Sequence, residues 1–179
     1  RHTDDIIECL DMAGAEIQEI VLPLDFHELI ASHRILMTVG AAATHQADFS
    51  ERPDDYSPNV RSVVEAGLTK CGVSYVQAEN RSREFRRVIE EAMEGFDVFM
   101  TTSTGTPPPR DLSGTGDPRF QAAWTTCGLP SISIPSGLSQ SGLPMGTQLV
   151  SASFEEGSLL STAHWCEQVL KFNAEPQGY

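Results

Sequence analysis

Residues 128–150 restrict the fold more than any other stretch, because glycine and proline interrupt them at close intervals. Polar and apolar residues alternate from Ser131 to Ile134, as they do in a half-buried strand. Proline is confined to the ends, edges and bulges of strands, so we expect Pro130 and Pro135 to bracket this strand and a turn to begin at Pro135. A second strand is predicted from Leu143 to Val150, after a Ser-Gln-Ser-Gly tip.

A helix is predicted for the end of the chain. Ser153 and Glu156 have the spacing of a capping box, which marks a helix start. Apolar residues then recur at i, i+4, i+7 and i+11, on one helix face: Leu159, Ala163, Cys166 and Leu170. Residues 173–179 are expected to form a frayed tail.

The upstream sequence mixes helix and strand signals. Helix starts are indicated by capping residues: Thr3, Asp25 with Glu28, Ser57 before Pro58, and Ser74. A polar loop is expected over residues 48–56, and strands over Glu16–Leu22 and Phe96–Thr102. A short helix is predicted over Phe120–Cys127, ended by Gly128. The combination predicts an α/β fold, a mixed β-sheet with flanking helices.

Charge and cysteine content limit the function classes. With 25 acidic and 12 basic residues the chain carries a formal net charge of −13, which opposes binding to nucleic acid. No apolar run reaches the length of a membrane span. The four cysteines are far apart, so they are interpreted as reduced and structural, in a cytoplasmic protein.

No complete catalytic constellation is found in these residues. The five histidines include no His-Glu-x-x-His pair, and the serines include no Gly-x-Ser-x-Gly elbow. The segment Gly114-Thr115-Gly116 lacks the Lys of a phosphate-binding loop. We therefore assign no catalytic residue, no metal ligand and no cofactor from the residues alone.

An ordered series in the last third resembles a known family. Gly128-Leu129-Pro130, a short strand, Pro135-Ser136-Gly137, then Leu143-Pro144-Met145-Gly146-Thr147-Gln148-Leu149 and a closing helix are similar to the C-terminal segment of amidase-signature hydrolases. The strand at Phe96–Thr102 and its proline-rich loop also resemble that family. The resemblance implies that residues 1–172 are the C-terminal part of an amidase domain.

The family hydrolyses amide bonds with a nucleophilic serine, a bridging serine and a lysine base, all in its N-terminal half. This chain has two lysines, Lys70 and Lys171, and neither lies in the strand context of the family's catalytic lysine. The chain begins at Arg1 and runs directly into a helical pattern, so we interpret it as a fragment. The resemblance therefore implies an amidase parent and an isolated chain without activity.

What this half supplies, by resemblance, is part of the substrate pocket. The implied substrate-binding residues are Thr115, Gly116, Asp117, Pro118 and Trp124. Asp117 has an alternative role, as the N-cap of the following helix. Thr125 and Thr147 depart from residues common in the family, which leaves the substrate class open.

The expected partners are a small amide substrate, bound together with the missing half, and a second copy of the chain, because half a sheet leaves apolar surface exposed. Two alternatives stay open within the resemblance: a non-catalytic binding or assembly module, and a subunit of a tRNA-dependent amidotransferase. A third is an unrelated α/β domain whose motifs match by chance.

Overall fold

The computed structural model describes residues 2–107 and 116–174. In chain order its elements are α1 (His2–Met12), α2 (Phe26–Glu51), a 3₁₀ turn (Pro53–Asp55), α3 (Pro58–Leu68), α4 (Gly72–Ala92), β1 (Phe99–Thr102), α5 (Arg119–Cys127), β2 (Ser131–Leu138), β3 (Pro144–Val150) and α6 (Glu156–Leu170). The α/β class is confirmed, and the three strands pair antiparallel throughout.

The chain divides into two compact units. The first, Pro23–Val88, is called the helical unit, and the second, residues 1–22 and 89–179, is called the sheet unit. The predicted limits of the amidase part, 1–172, stay a prediction, since a division by compactness does not test them.

The helical unit begins at a confirmed N-cap. The Asp25 carboxylate accepts hydrogen bonds from the backbone N–H groups of His27 and Glu28, at 2.8 and 3.3 Å. The Glu28 side chain does not complete a capping box, because it pairs with Arg81 at 2.7 Å. Ser57 also caps its helix, accepting from the N–H of Val60, as predicted from the Ser-Pro pair.

Helices α2 and α3 pack closely because α3 carries a glycine at the contact. A Cβ atom on Gly67 would lie 2.0 Å from the backbone oxygen of Thr38 and 2.7 Å from the Cβ of Ala42. Real Cβ contacts are never that short, so any side chain here would force the two helices apart.

The sheet unit is built on strand order β1-β3-β2, with β3 in the middle. Facing residues include Met100 with Leu149 and Ile132 with Leu149. The core on this face joins strand residues to the inner faces of α1 and α6: Ile6, Leu10, Ile134, Leu149, Leu159, Ala163 and Cys166. The predicted apolar stripe of the last helix is therefore confirmed at three of its four residues, and Leu170 packs at the rim of the same core.

The strand predicted at Glu16–Leu22 is wrong. The segment has no strand pairing, and Ile17 and Val21 are 43% and 91% exposed. A strand needs a neighbour for its backbone N–H and C=O groups, and no described strand lies beside this one.

The turn predicted at Pro135 is also wrong, because β2 continues through it to Leu138. The pairing with β3 shifts between Pro135 and Gly137, which marks a bulge. β2 lies at the edge of the described sheet and has a neighbouring strand on one side only. The N–H that proline lacks is therefore not required for pairing on the open side. Proline therefore bends this strand without ending it.

Several smaller boundaries differ from the predictions. Thr3 and Ser74 lie inside α1 and α4, which begin at His2 and Gly72, so neither is the cap that the sequence predicted. The polar loop expected over residues 48–56 is shorter, since α2 runs to Glu51. The strand expected at Phe96–Thr102 contains only its last four residues. The capping box at Ser153 does not form, because the Ser153 hydroxyl donates to Glu90 and α6 begins without a side-chain cap.

Candidate functional site

A small cleft opens in the sheet unit where the predicted substrate loop begins and ends. It has a volume of about 220 Å³ and is lined by residues 103–107, Gly116, Asp117, Ser133, Pro144 and Gly146. Pockets that enclose drug-sized ligands hold roughly 300–1,000 Å³, so the described part of this cleft fits a smaller molecule.

Two serine hydroxyls that line the cleft are hydrogen-bonded to each other. Ser103, just after β1, and Ser133, on β2, place their Oγ atoms 2.6 Å apart. A hydroxyl can both donate and accept, which is what an amide group requires of a binding site. Gly146 on β3 leaves room for this pair, because a Cβ there would lie 2.6 Å from Ser133 Oγ and 3.0 Å from Ser103 Oγ.

Helix α5 holds in place the segment 103–107, which lines one part of the cleft. The Gln121 side-chain amide donates a hydrogen bond to the backbone oxygen of Ser103. The ring of Phe120 on α5 lies against Gly105, since a Cβ atom added to Gly105 would be 3.0 Å from that ring. The helix ends at Gly128, which takes the left-handed conformation with φ 65°, so the predicted helix stop is confirmed.

Asp117 lines the cleft, and its carboxylate already has hydrogen-bond partners. One carboxylate oxygen accepts from the backbone N–H of Arg119 at 3.0 Å, and the other pairs with the Arg119 guanidinium at 2.6 Å. Both side chains are largely exposed, so the ion pair adds little to stability. The N-cap position of α5 is Pro118. Asp117, one residue earlier, accepts the hydrogen bond from the N–H of the first residue of the helix, Arg119.

The structure does not bring all five predicted substrate residues together. Gly116 and Asp117 line the cleft. Trp124 is only 4% exposed and lines a separate groove of the sheet unit. Pro118 is exposed beside the cleft without lining it, and Thr115 lies outside the described residues. A substrate role for these residues stays a prediction.

Sequence reasoning missed Ser103, Ser133 and Gly146. The alternating pattern identifies Ser133 only as the second face of a strand, which is correct, and that face lines the cleft. The signal for Ser103 is its position directly after β1, since loops at strand ends are where binding groups concentrate. Gly146 lies inside β3 and carries no such signal.

Gln148 is buried, 4% exposed, opposite Ser133 and Thr101 in the strand register. Its Oε1 atom, like the Nε1 atom of Trp124, has no hydrogen-bond partner among the described residues. Leaving such a group unpaired costs about 1–3 kcal/mol.

The cleft contains no amine base in the part of the chain that the structure describes. Lys70 lies between α3 and α4, and Lys171 follows α6. Over residues 2–107 and 116–174, no three His, Cys, Asp or Glu side chains gather as a metal site would require. No helix in these ranges has the length and apolarity to cross a membrane.

Comparisons with known proteins give the chain a family. The Amidase family model matches residues 1–160. The chain is 30% identical to a glutamyl-tRNA(Gln) amidotransferase subunit of Ruegeria pomeroyi, over 94% of this chain and 41% of that protein. It is 28% identical to Putative amidase AmiD of Mycobacterium tuberculosis, over 75% of this chain and 30% of that protein.

Solved structures agree in fold. A crystal structure of an amidase superposes with a TM-score of 0.81 at 26% identity, covering 94% of this chain and 41% of that one. A 6-aminohexanoate cyclic dimer hydrolase superposes with a TM-score of 0.78 at 20% identity, over 98% of this chain and 42% of that one. The chain thus spans about two-fifths of the length of these proteins. On the match over residues 1–160, it belongs to the amidase-signature family.

Proposed function

We propose that these residues are the C-terminal part of an amidase that hydrolyses the C–N bond of a small carboxamide. The observation that carries the proposal is the family match over residues 1–160 in a chain that spans only 41% of its relative. The cleft supports it, because paired hydroxyls and a carboxylate suit an uncharged amide better than an anion.

On this proposal the cleft binds and orients, and the bond-breaking groups come from elsewhere in the protein. Ser103 and Ser133 hydrogen-bond the substrate, and Asp117 sets the polarity of the entrance. The cleft has no lysine beside its serines, in the part that is described, so neither serine has a base to remove its proton. The isolated chain is accordingly inactive, and a cytoplasmic location stays a prediction.

The test is ammonia release from a panel of acetamide, propionamide, benzamide and glutamine. The 179-residue chain is compared with the longer protein that contains it. Activity in the longer protein and none in this chain is the expected result. Ammonia from this chain alone would overturn the division of labour, and a longer protein inactive on every amide would overturn the hydrolase.

A variant of Asp117 sharpens the assay. If the carboxylate contacts substrate, Asp117→Asn in the longer protein raises KM while the melting temperature stays close to that of the parent. If it only supports α5, stability falls and KM does not change. The matched control is Glu65→Gln, an exposed carboxylate on α3.

A second candidate is the amidating subunit of a tRNA-dependent amidotransferase. The 30% identity over 94% of the chain to such a subunit favours it. Ammonia release confined to glutamine, and dependent on added partner subunits, would select this function over a free-standing amidase.

A further inference from the structure

The loop that follows β1 lines the cleft with its carbonyl groups already occupied. The backbone oxygen of Ser103 accepts a hydrogen bond from the side chain of Gln121. The backbone oxygens of Thr104 and Thr106 accept from the hydroxyls of Thr102 and Thr104, each at 2.7 Å. These carbonyl oxygens are thus bound by donors of the chain itself.

The N–H groups of the same loop are not matched in this way. The N–H of Ser103 donates to the backbone oxygen of Gly146 on β3, at 3.3 Å. Within residues 2–107 and 116–174, no group accepts from the N–H groups of the next residues, Thr104, Gly105 and Thr106, which are exposed. A loop with engaged carbonyls and free N–H groups offers donors, so it suits a ligand that accepts hydrogen bonds.

The cleft also offers an acceptor, the carboxylate of Asp117. Each carboxylate oxygen accepts one hydrogen bond, and both bonds come from Arg119. An ionised carboxylate has about four acceptor positions, so Asp117 can accept from a further N–H group.

The combination of these groups indicates what the cleft binds. Asp117 is the one charged side chain in the described lining, and its negative charge opposes a carboxylate on the ligand. A neutral amide fits both parts, because its oxygen accepts and its N–H donates.

The amide group that fits the cleft is not the one that reacts. A nucleophilic serine needs a base within hydrogen-bond reach. The hydroxyls of Ser103 and Ser133 bond to each other, and the described lining of the cleft contains no Lys or His. The amide that is hydrolysed therefore lies beside the catalytic groups that the proposed function places elsewhere in the protein.

We infer that the cleft recognises a second, unreactive amide group of the substrate. The substrate class is then a diamide, in which an inner amide lies a few atoms from a terminal carboxamide. The inner carbonyl oxygen accepts from the N–H groups of Thr104, Gly105 and Thr106, and the inner N–H donates to Asp117.

The reaction itself does not change. Water adds to the terminal carboxamide, its C–N bond breaks, and ammonia leaves with formation of a carboxylate. The inference rests on the proposed function, because that function supplies this hydrolysis.

The test is a set of amides of equal length that release ammonia from the same terminal carboxamide. N-acetylglycinamide carries the inner amide, 4-oxopentanamide keeps its carbonyl and replaces its N–H by CH2, and pentanamide has neither. For the longer protein that contains this chain, kcat/KM is expected to fall in that order, by about threefold to tenfold at each step, the effect of one hydrogen bond.

Asp117→Asn tests the contact to the inner N–H. We expect kcat/KM for N-acetylglycinamide to fall about tenfold, because a charge-assisted hydrogen bond is lost. The values for 4-oxopentanamide and pentanamide should stay within about twofold, since neither has an inner N–H to donate. Glu65→Gln, at an exposed carboxylate of α3, is the matched control and should change none of them.

Thr104→Val tests the donor loop. The Thr104 hydroxyl holds the backbone oxygen of Thr106, so its loss should lower kcat/KM about threefold for the substrates with an inner carbonyl and spare pentanamide. A merely structural role would lower all substrates alike. Thr44→Val, which removes an exposed hydroxyl that donates to the oxygen of Gly40 on α2, is the control.

Two results would overturn the inference and leave the proposed amidase activity in place. The first is equal kcat/KM of the unchanged protein on all of these amides. The second is an equal loss on all of them in Asp117→Asn and in Thr104→Val. No ammonia from any of them would instead overturn the proposed function on which the inference rests.

Discussion

The helical unit and the sheet unit differ in how far apart in sequence their stabilising partners lie. In the helical unit most caps and ion pairs join residues close in sequence, such as Arg52 with Asp48 at 3.2 Å. The pair of Glu28 with Arg81 and the close contact at Gly67 join different helices. In the sheet unit, β1 pairs with a strand more than 40 residues away, Met100 with Leu149. The comparison teaches that the first unit depends mainly on local sequence and the second on assembly.

The largest effect is expected at the centre of the sheet unit. Leu149 is 1% exposed on the middle strand, so Leu149→Ala should lower the free energy of unfolding by about 2–5 kcal/mol. Urea unfolding followed by tryptophan fluorescence measures it, because both tryptophans belong to this unit. Leu160→Ala on α6, at a residue 58% exposed, is the control and should change stability by less than about 0.5 kcal/mol. Equal effects would mean that β3 is not the core strand.

A smaller effect is expected in the helical unit. Gly67→Ala places a Cβ against the backbone of α2 and should cost about 1–3 kcal/mol. The measurement is hydrogen exchange at the amides of α2 and α3, which should lose protection while those of β2 and β3 keep theirs.

The control for this glycine is on the partner helix. Gly40 lies in α2 with nothing within 4 Å of an added Cβ, so Gly40→Ala should stabilise the helix by up to about 1 kcal/mol. If both alanine variants stabilise the chain, the close contact between α2 and α3 is wrong.

The smallest effect concerns the cysteines of the two units. A hydrogen bond with the Ser74 hydroxyl lowers the pKa of the exposed Cys71 thiol in the helical unit, whereas burial raises the pKa of Cys166 in the sheet unit. Alkylation proceeds through the thiolate, so a lowered pKa gives a larger reactive fraction below about pH 9. Mass spectrometry after iodoacetamide treatment at about pH 7.5 should find Cys71 labelled first and Cys166 labelled only on unfolding.

Substitution of the hydroxyl tests the cause. Ser74→Ala should move the pH–rate profile of Cys71 labelling to higher pH. Ser62→Ala, an exposed serine on α3, should leave the profile where it is. A profile that does not move in either variant would assign the shift to some other group.

The predictions from sequence are most accurate where an element completes its own hydrogen bonds. The caps at Asp25 and Ser57 and the stop at Gly128 are confirmed, because each rests on a side chain or a glycine next to the backbone it serves. The family resemblance is confirmed for the same reason, since it rests on an ordered series of such local signals.

The predictions from sequence are wrong where the structure of a segment depends on a pairing partner that is distant in sequence. Segment 16–22 has the composition of a strand and no neighbour to pair with in the described sheet, and Pro135 is tolerated because β2 lies at an edge. The candidate site is only partly predictable. Asp117 and Gly116 lie in the loop that the sequence predicts for the site. Ser103 and Ser133 are 30 residues apart in sequence, and no motif in the sequence indicates that their hydroxyls form a hydrogen bond.

By itself, the sequence determined the helices, the caps at Asp25 and Ser57, the negative charge and the family. Each of these depends on residues within a few positions of one another, or on a simple sum over the chain. The tertiary structure decided which strands have partners, which hydroxyls meet in the cleft, and that Asp117 lines the same cleft as the loop after β1. The physical reason is that helix hydrogen bonds close within about four residues, whereas strand pairing and converging side chains require distant parts of the chain to be brought together.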